Sequence, residues 1–134
     1  MTDGGRGIFL QLAPIVGSYT SVGVGKSMWL FTSTGMLSVV AHREQKKDLL
    51  VRARNPSHIL EMFPNVAIDE NLSADYRFRT VISREIFARA ITNYILNLRY
   101  DNFKNSINEE IFHDYCVDIW SIMYDYGLTQ GKLV

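Results

Sequence analysis

Leu49-Leu50-Val51-Arg52-Ala53-Arg54-Asn55-Pro56 is the stretch that decides the fold. Strand side chains alternate between faces, so Leu49, Val51 and Ala53 share one side while Arg52 and Arg54 share the other. Asn55 then has the chemistry of a helix cap, and Pro56 suits the first helical turn. The helix they open carries Ile59, Leu60 and Phe63 and is stopped by Pro64. Downstream, Tyr76-Arg77-Phe78-Arg79-Thr80-Val81-Ile82 repeats the alternation with a second arginine pair. If the two strands are neighbours in register, the guanidiniums of Arg52, Arg54, Arg77 and Arg79 share one sheet face, with Val51, Ala53, Tyr76 and Phe78 on the other.

Working outward, residues 28–33 and 36–41 are rich in Val, Phe, Trp and Thr and flank Thr34-Gly35, which predicts a β-hairpin. A polar turn from His42 to Asp48 leads into the arginine strand. Val66 to Asp69 reads as a short strand, and Asn71 to Asp75 as a loop. Ser83 is placed to cap a helix from Arg84 to about Leu98, with Phe87, Ala90, Ile91, Tyr94 and Leu98 along one stripe. Tyr100 to Ser106 forms a polar connector. Asn108 then caps a last helix whose expected buried face is Phe112, Tyr115, Cys116, Ile119, Trp120 and Met123, and Gly127 marks its end. This order predicts an α+β fold, a mostly antiparallel sheet with helices on one face, ferredoxin-like from the third strand onward.

The 134 residues, 47% of them hydrophobic, suffice for one core and not for two. Residues 1–27 read as a flexible N-terminal extension, 28–126 as one domain and 127–134 as a frayed tail. The extension carries a faint likeness to a secretory signal, interrupted by Gln11 and Pro14. It also holds Gly23-Val24-Gly25-Lys26-Ser27, the end of a phosphate-binding loop, but Thr20 stands where that motif needs its first glycine. Met28-Trp29-Leu30-Phe31-Thr32 follows as an uncapped β-prone run where a helix is required.

Fourteen basic and fourteen acidic residues cancel, which removes the global field behind non-specific nucleic-acid binding. Cys116 is the lone cysteine, so an intrachain disulfide is excluded, and a reducing, cytoplasmic setting is the expectation. No apolar run reaches the roughly 20 residues of a membrane-spanning helix.

Four arginines and no lysine on the paired strands suit planar, bidentate capture of phosphate or carboxylate. The competing reading is structural, with the arginines covered by the acids Glu110, Asp114 and Asp118 of the last helix or simply solvated. Sequence-specific RNA binding is not expected, because the aromatics alternate with the arginines and face away from them. The connector adds Tyr100, Asn102 and Lys104 as candidate ligand contacts, although its asparagines equally suit turn formation. For catalysis, His113 with Glu110 one helical turn away is the available acid–base pair, against the plainer reading of a surface histidine in an acidic helix. His42 and His58 share no metal-ligand spacing with it, and no cofactor is expected.

Residues 28–126 resemble a family of small, uncharacterised bacterial proteins, notably cyanobacterial. The resemblance rests on Met28-Trp29-Leu30-Phe31, Leu50-Val51-Arg52-Ala53-Arg54, Asp75-Tyr76-Arg77-Phe78-Arg79, Tyr100-Asp101-Asn102-Phe103-Lys104-Asn105-Ser106 and the Trp120 to Tyr124 helix end. It implies no activity, and makes Met28 a plausible natural start. The expectation is therefore a non-enzymatic binding module for a protein partner or a phosphorylated small ligand. The alternatives are a phosphate-ester enzyme using His113 and Glu110, and a homo-oligomeric assembly protein anchored by Trp29, Trp120 and Tyr126.

Overall fold

Five strands and three helices follow one another in the computed structural model, which describes residues 27–132. The readings placed on residues 1–26, including the signal-like run and the glycine-rich stretch up to Lys26, lie outside the described residues. Strands β1 (Ser27–Thr32), β2 (Gly35–Ala41) and β3 (Asp48–Ala53) form an antiparallel meander. After helix α1 (Pro56–Leu60), the two-residue β4 (Asp69–Glu70) and β5 (Phe78–Ser83) complete a sheet of order β1-β2-β3-β5-β4. Every pairing in it is antiparallel. The α+β expectation holds. From β3 onward the strand order β3-β5-β4, with both pairings antiparallel, is that of the first three strands of a ferredoxin-like sheet, while β2 holds the place beside β3 that the fourth strand takes there.

Local chemistry explains the boundaries. Asn55 Oδ1 accepts from the Ser57 amide at 2.9 Å, capping α1 as its type and Pro56 predict. Ser83 Oγ accepts from the Ile86 amide at 3.1 Å and opens α2 (Arg84–Leu96). At α3 (Glu110–Lys132) the cap is Glu109 rather than Asn108, its carboxylate accepting from the Phe112 amide at 2.6 Å. The hairpin turns on Ser33-Thr34, one residue earlier than expected, with Thr32 opposite Gly35.

The core lies on one face of the sheet. Leu37, Val39, Val51, Ala53 and Ile82 from the strands meet Ile59 of α1, Phe63 beyond it and Phe87 of α2. Phe63 and Phe87 stack with centroids 5.5 Å apart. Full burial of such side chains stabilises by about 1.5–3 kcal/mol each. Tyr76 is the exception to the expected alternation. It precedes β5, is excluded from this cluster although only 7% exposed, and lies on the opposite, arginine-bearing face.

Helix α3 departs most from expectation. Of its predicted buried face, Cys116 is buried and Phe112 half-buried, whereas Tyr115, Ile119, Trp120 and Met123 are exposed. Gly127 does not end the helix, which continues through Gly131 to Lys132. No helix among the described residues is long and apolar enough to cross a membrane.

Candidate arginine cleft

The register places one row of residues across the open face: Trp29 on β1, Ser38 on β2, Arg52 on β3, Arg79 on β5 and Asp69 on β4. Arg52 and Arg79 are therefore direct cross-strand neighbours, an arrangement in which like charges repel. Arg52 donates to the Ser38 hydroxyl at 2.8 Å, and Arg79 donates to the Tyr76 carbonyl at 3.2 Å. Those bonds use one terminal nitrogen of each guanidinium. The Nε–H groups of both are buried and have no hydrogen-bond partner among the described residues. An unsatisfied buried donor costs about 1–3 kcal/mol, so two adjacent ones need an explanation.

Tyr76 orders one side of this pair. Its ring lies under both Arg54 and Arg52, with guanidinium carbons 4.2 and 4.8 Å from the centroid. Such stacking is worth about 0.5–2 kcal/mol per contact. Burial pushes the phenol pKa up, but the opposing pull of Arg54 and Ser38 is stronger and brings it below 10.0. The same contact with Tyr76 is the main reason the Arg54 guanidinium holds its proton more tightly than usual.

The other two arginines are already paired. Arg54 meets Asp75 at 2.8 Å, and Arg77 meets Glu70 at 2.5 Å through both Nε and a terminal nitrogen. These pairs are exposed, a setting in which an ion pair contributes about 0–1 kcal/mol. The convergence of all four guanidiniums is thus corrected to a pair, Arg52 and Arg79. Arg54 and Arg77 lie one residue beyond the ends of β3 and β5, where strand alternation no longer dictates direction. The neutralising acids are local ones, Asp75 and Glu70, and not those of the last helix.

Arg52 and Arg79 line a cleft of about 750 Å³ with Val40, Leu50 and the start of the β2–β3 loop. The loop contributes Arg43 and His42 and also one acid, Glu44. His42 Nδ1 accepts from the amides of Glu44 and Gln45 at 3.2 and 3.0 Å, which leaves the neutral ring's proton on Nε2. The loop's far end is fixed to α2, whose Arg84 donates to the carbonyls of Lys46 and Lys47 at 2.8 and 2.9 Å. The cleft therefore has a pinned wall carrying a third arginine. Its size falls within the range of small-molecule clefts, about 300–1,000 Å³. His42 and Arg43 were missed as site residues, since a polar turn with mixed charges carries no signal that it folds over a strand face.

The connector serves elsewhere. Tyr100 Oη lies 3.4 Å from Tyr94 Oη, which in turn accepts from the Ser33 amide at 3.0 Å. Ser106 Oγ is 2.9 Å from Ser33 Oγ. Asn102 accepts from the Asn105 amide at 3.2 Å, shaping the turn, and Lys104 sits 4.9 Å from the Trp120 ring centroid. Tyr100, Asn102 and Lys104 do not line the arginine cleft.

A second cleft, about 420 Å³, opens between the hairpin turn, α1 and the start of α3, and includes Ser57, His58, Glu61 and Glu109. His58 Nδ1 accepts from the Met36 amide at 3.2 Å, and its ring packs 5.0 Å from that of Phe112. Burial holds its pKa below 6.5. The catalytic pair envisaged from sequence is not assembled. His113 Nδ1 lies 3.2 Å from Asp114, its chain neighbour, rather than from Glu110, and neither His113 nor Glu110 lines the arginine cleft. Among the described residues, no group of three or more His, Cys, Asp or Glu side chains could hold a metal ion. Comparison of the chain with protein-family models, with curated proteins and with solved structures finds no match.

Proposed function

We propose that the protein is a non-enzymatic binding module whose cleft grips the anionic group of a phosphorylated small ligand between Arg52 and Arg79. Arg43 and the Nε2–H of His42 stand on the same wall as further donors. The observation that carries the reading is the pair of buried Nε–H donors on adjacent strands that have no partner among the described residues. An incoming oxyanion offers acceptors to both after a small turn of either side chain, and it offsets the repulsion between the two cations. Planar guanidiniums suit that role through bidentate bonds, which an ammonium group cannot reproduce. Glu44 on the same rim disfavours highly charged polyanions, in keeping with the chain's zero net charge.

Titration calorimetry with inorganic phosphate, pyrophosphate and a nucleoside monophosphate tests the reading. Arg79→Gln should weaken binding at least about tenfold, or about 1.4 kcal/mol, while Arg54→Gln, altering a guanidinium already paired with Asp75, should change it little. Absence of binding to the wild-type chain, or equal losses in the two variants, would sink it.

A further inference from the structure

We infer that the protein forms a parallel homodimer through helix α3, with a second copy of the chain covering the seam formed by Tyr115, Ile119, Ile122 and Tyr126. Beyond Val117, every residue of α3 from Asp118 to Gly131 is exposed. This segment extends about 20 Å at 1.5 Å per residue. A helix of that length is marginal alone, since isolated helices shorter than about 12–15 residues rarely persist in water. Gly127 and Gly131 weaken it further, each costing about 1 kcal/mol relative to alanine. Something must pack on it for the helix to hold.

The sequence of the exposed segment identifies what. Tyr115, Ile119, Ile122, Tyr126 and Thr129 recur at alternating spacings of four and three, the seven-residue repeat by which helices pack along a common seam. Tyr115 is 65% exposed, Ile119 37%, Ile122 65% and Tyr126 55%. Together with Ile111 and Met123 on the seam's flanks, these side chains offer an apolar stripe on the order of 600 Å². Adding the polar rim brings the contact near the roughly 800 Å² per partner of a stable interface. A seam of this kind is self-complementary, as a two-fold interface requires.

Charge sets the direction. Asp118 and Asp125 both border the seam on one edge, whereas Met123 and Gln130 border the other. An antiparallel pair faces like edges, setting aspartate against aspartate; a parallel pair faces each acidic edge to the partner's neutral one.

The test is the mass of the full chain by light scattering coupled to size exclusion, with helicity followed on dilution. The wild type should run at twice the chain mass, and its helical signal should fall as the dimer dissociates. Ile122→Glu should raise the dissociation constant at least about tenfold, whereas Leu128→Glu, also exposed but off the seam, should not. Both positions are open to solvent, so folding of the sheet domain is retained and can be checked by its thermal transition. Thr129→Cys should form an intermolecular disulfide under mild oxidation, because a parallel seam brings this position against its own copy. A monomeric wild type, including one whose seam is covered by its own first 26 residues, overturns the inference, as does a dimer indifferent to Ile122→Glu. A dimer in which Thr129→Cys fails to cross-link overturns the parallel arrangement.

Discussion

Replacing Gly35 with alanine probes how tightly the hairpin is built against α1. A Cβ at this position falls 2.3 Å from His58 Cγ and 2.6 Å from its Cβ and Cδ2. Unstrained carbon contacts sit at about 3.5–4.0 Å, so the imidazole must retreat by about 1 Å or more. It has little room to do so: its Nδ1 is tied to the Met36 amide, its ring lies against Phe112, and the next residue, Ile59, is fully buried. Overpacking strain of about 1–3 kcal/mol and a lost amide partner worth about 1–3 kcal/mol give an expected destabilisation of about 3 kcal/mol. Urea unfolding should show this as a midpoint lowered by about 1–3 M with an unchanged slope. In a His58→Gly background all three clashing atoms are absent, and the same substitution should cost less than about 1 kcal/mol, a coupling of about 2 kcal/mol. Additive costs in the double variant, or a Gly35→Ala protein as stable as wild type, would refute the reasoning.

Two further outcomes follow from the same architecture. Burial depresses the His58 pKa, so the unfolded chain binds its proton more readily; the stability contributed by neutral His58 is complete above pH 6.5 and is lost as pH falls toward the folded-state value. Thermal melts should therefore weaken on acidification below that pH, and His58→Asn, which keeps an acceptor for Met36 without titrating, should flatten this part of the slope; an unaltered slope counts against the assignment. Ile59→Ala, at a site with no solvent exposure, should cost about 2–5 kcal/mol in the same urea assay, and a loss below about 1 kcal/mol would show that α1 is not clamped on the sheet.

The elements that residue patterning could reach were those with a local cause. Asn55-Pro56 and Ser83 announce helix starts because the capping chemistry is contained within a few residues. Alternation in Leu49 to Ala53 reports burial correctly because β3 is flanked on both sides and one of its faces is covered. The pattern misled where it ran past the end of an element. Tyr76 and Arg77 precede β5, and once the chain leaves the ladder a side chain follows its best partner, which for Tyr76 is the pair of guanidiniums. The functional candidates separated for a similar reason. Arg52 and Arg79 stay together because hydrogen bonding holds β3 to β5 in register, whereas Arg54 and Arg77 each found a nearby carboxylate. Helix α3 was misread in the opposite sense: its apolar spacing is real, but spacing alone does not say whether the partner surface belongs to the same chain.

The clasp of Tyr76 by Arg52 and Arg54 gives the molecule a native optical gauge. A phenol flanked by cations absorbs ultraviolet light differently from one released into water, and any occupant that draws Arg52 toward itself relaxes one jaw of the clasp. Difference absorbance in the tyrosine band should therefore register arrival at the cleft without a dye or label, and Tyr76→Phe provides the blank.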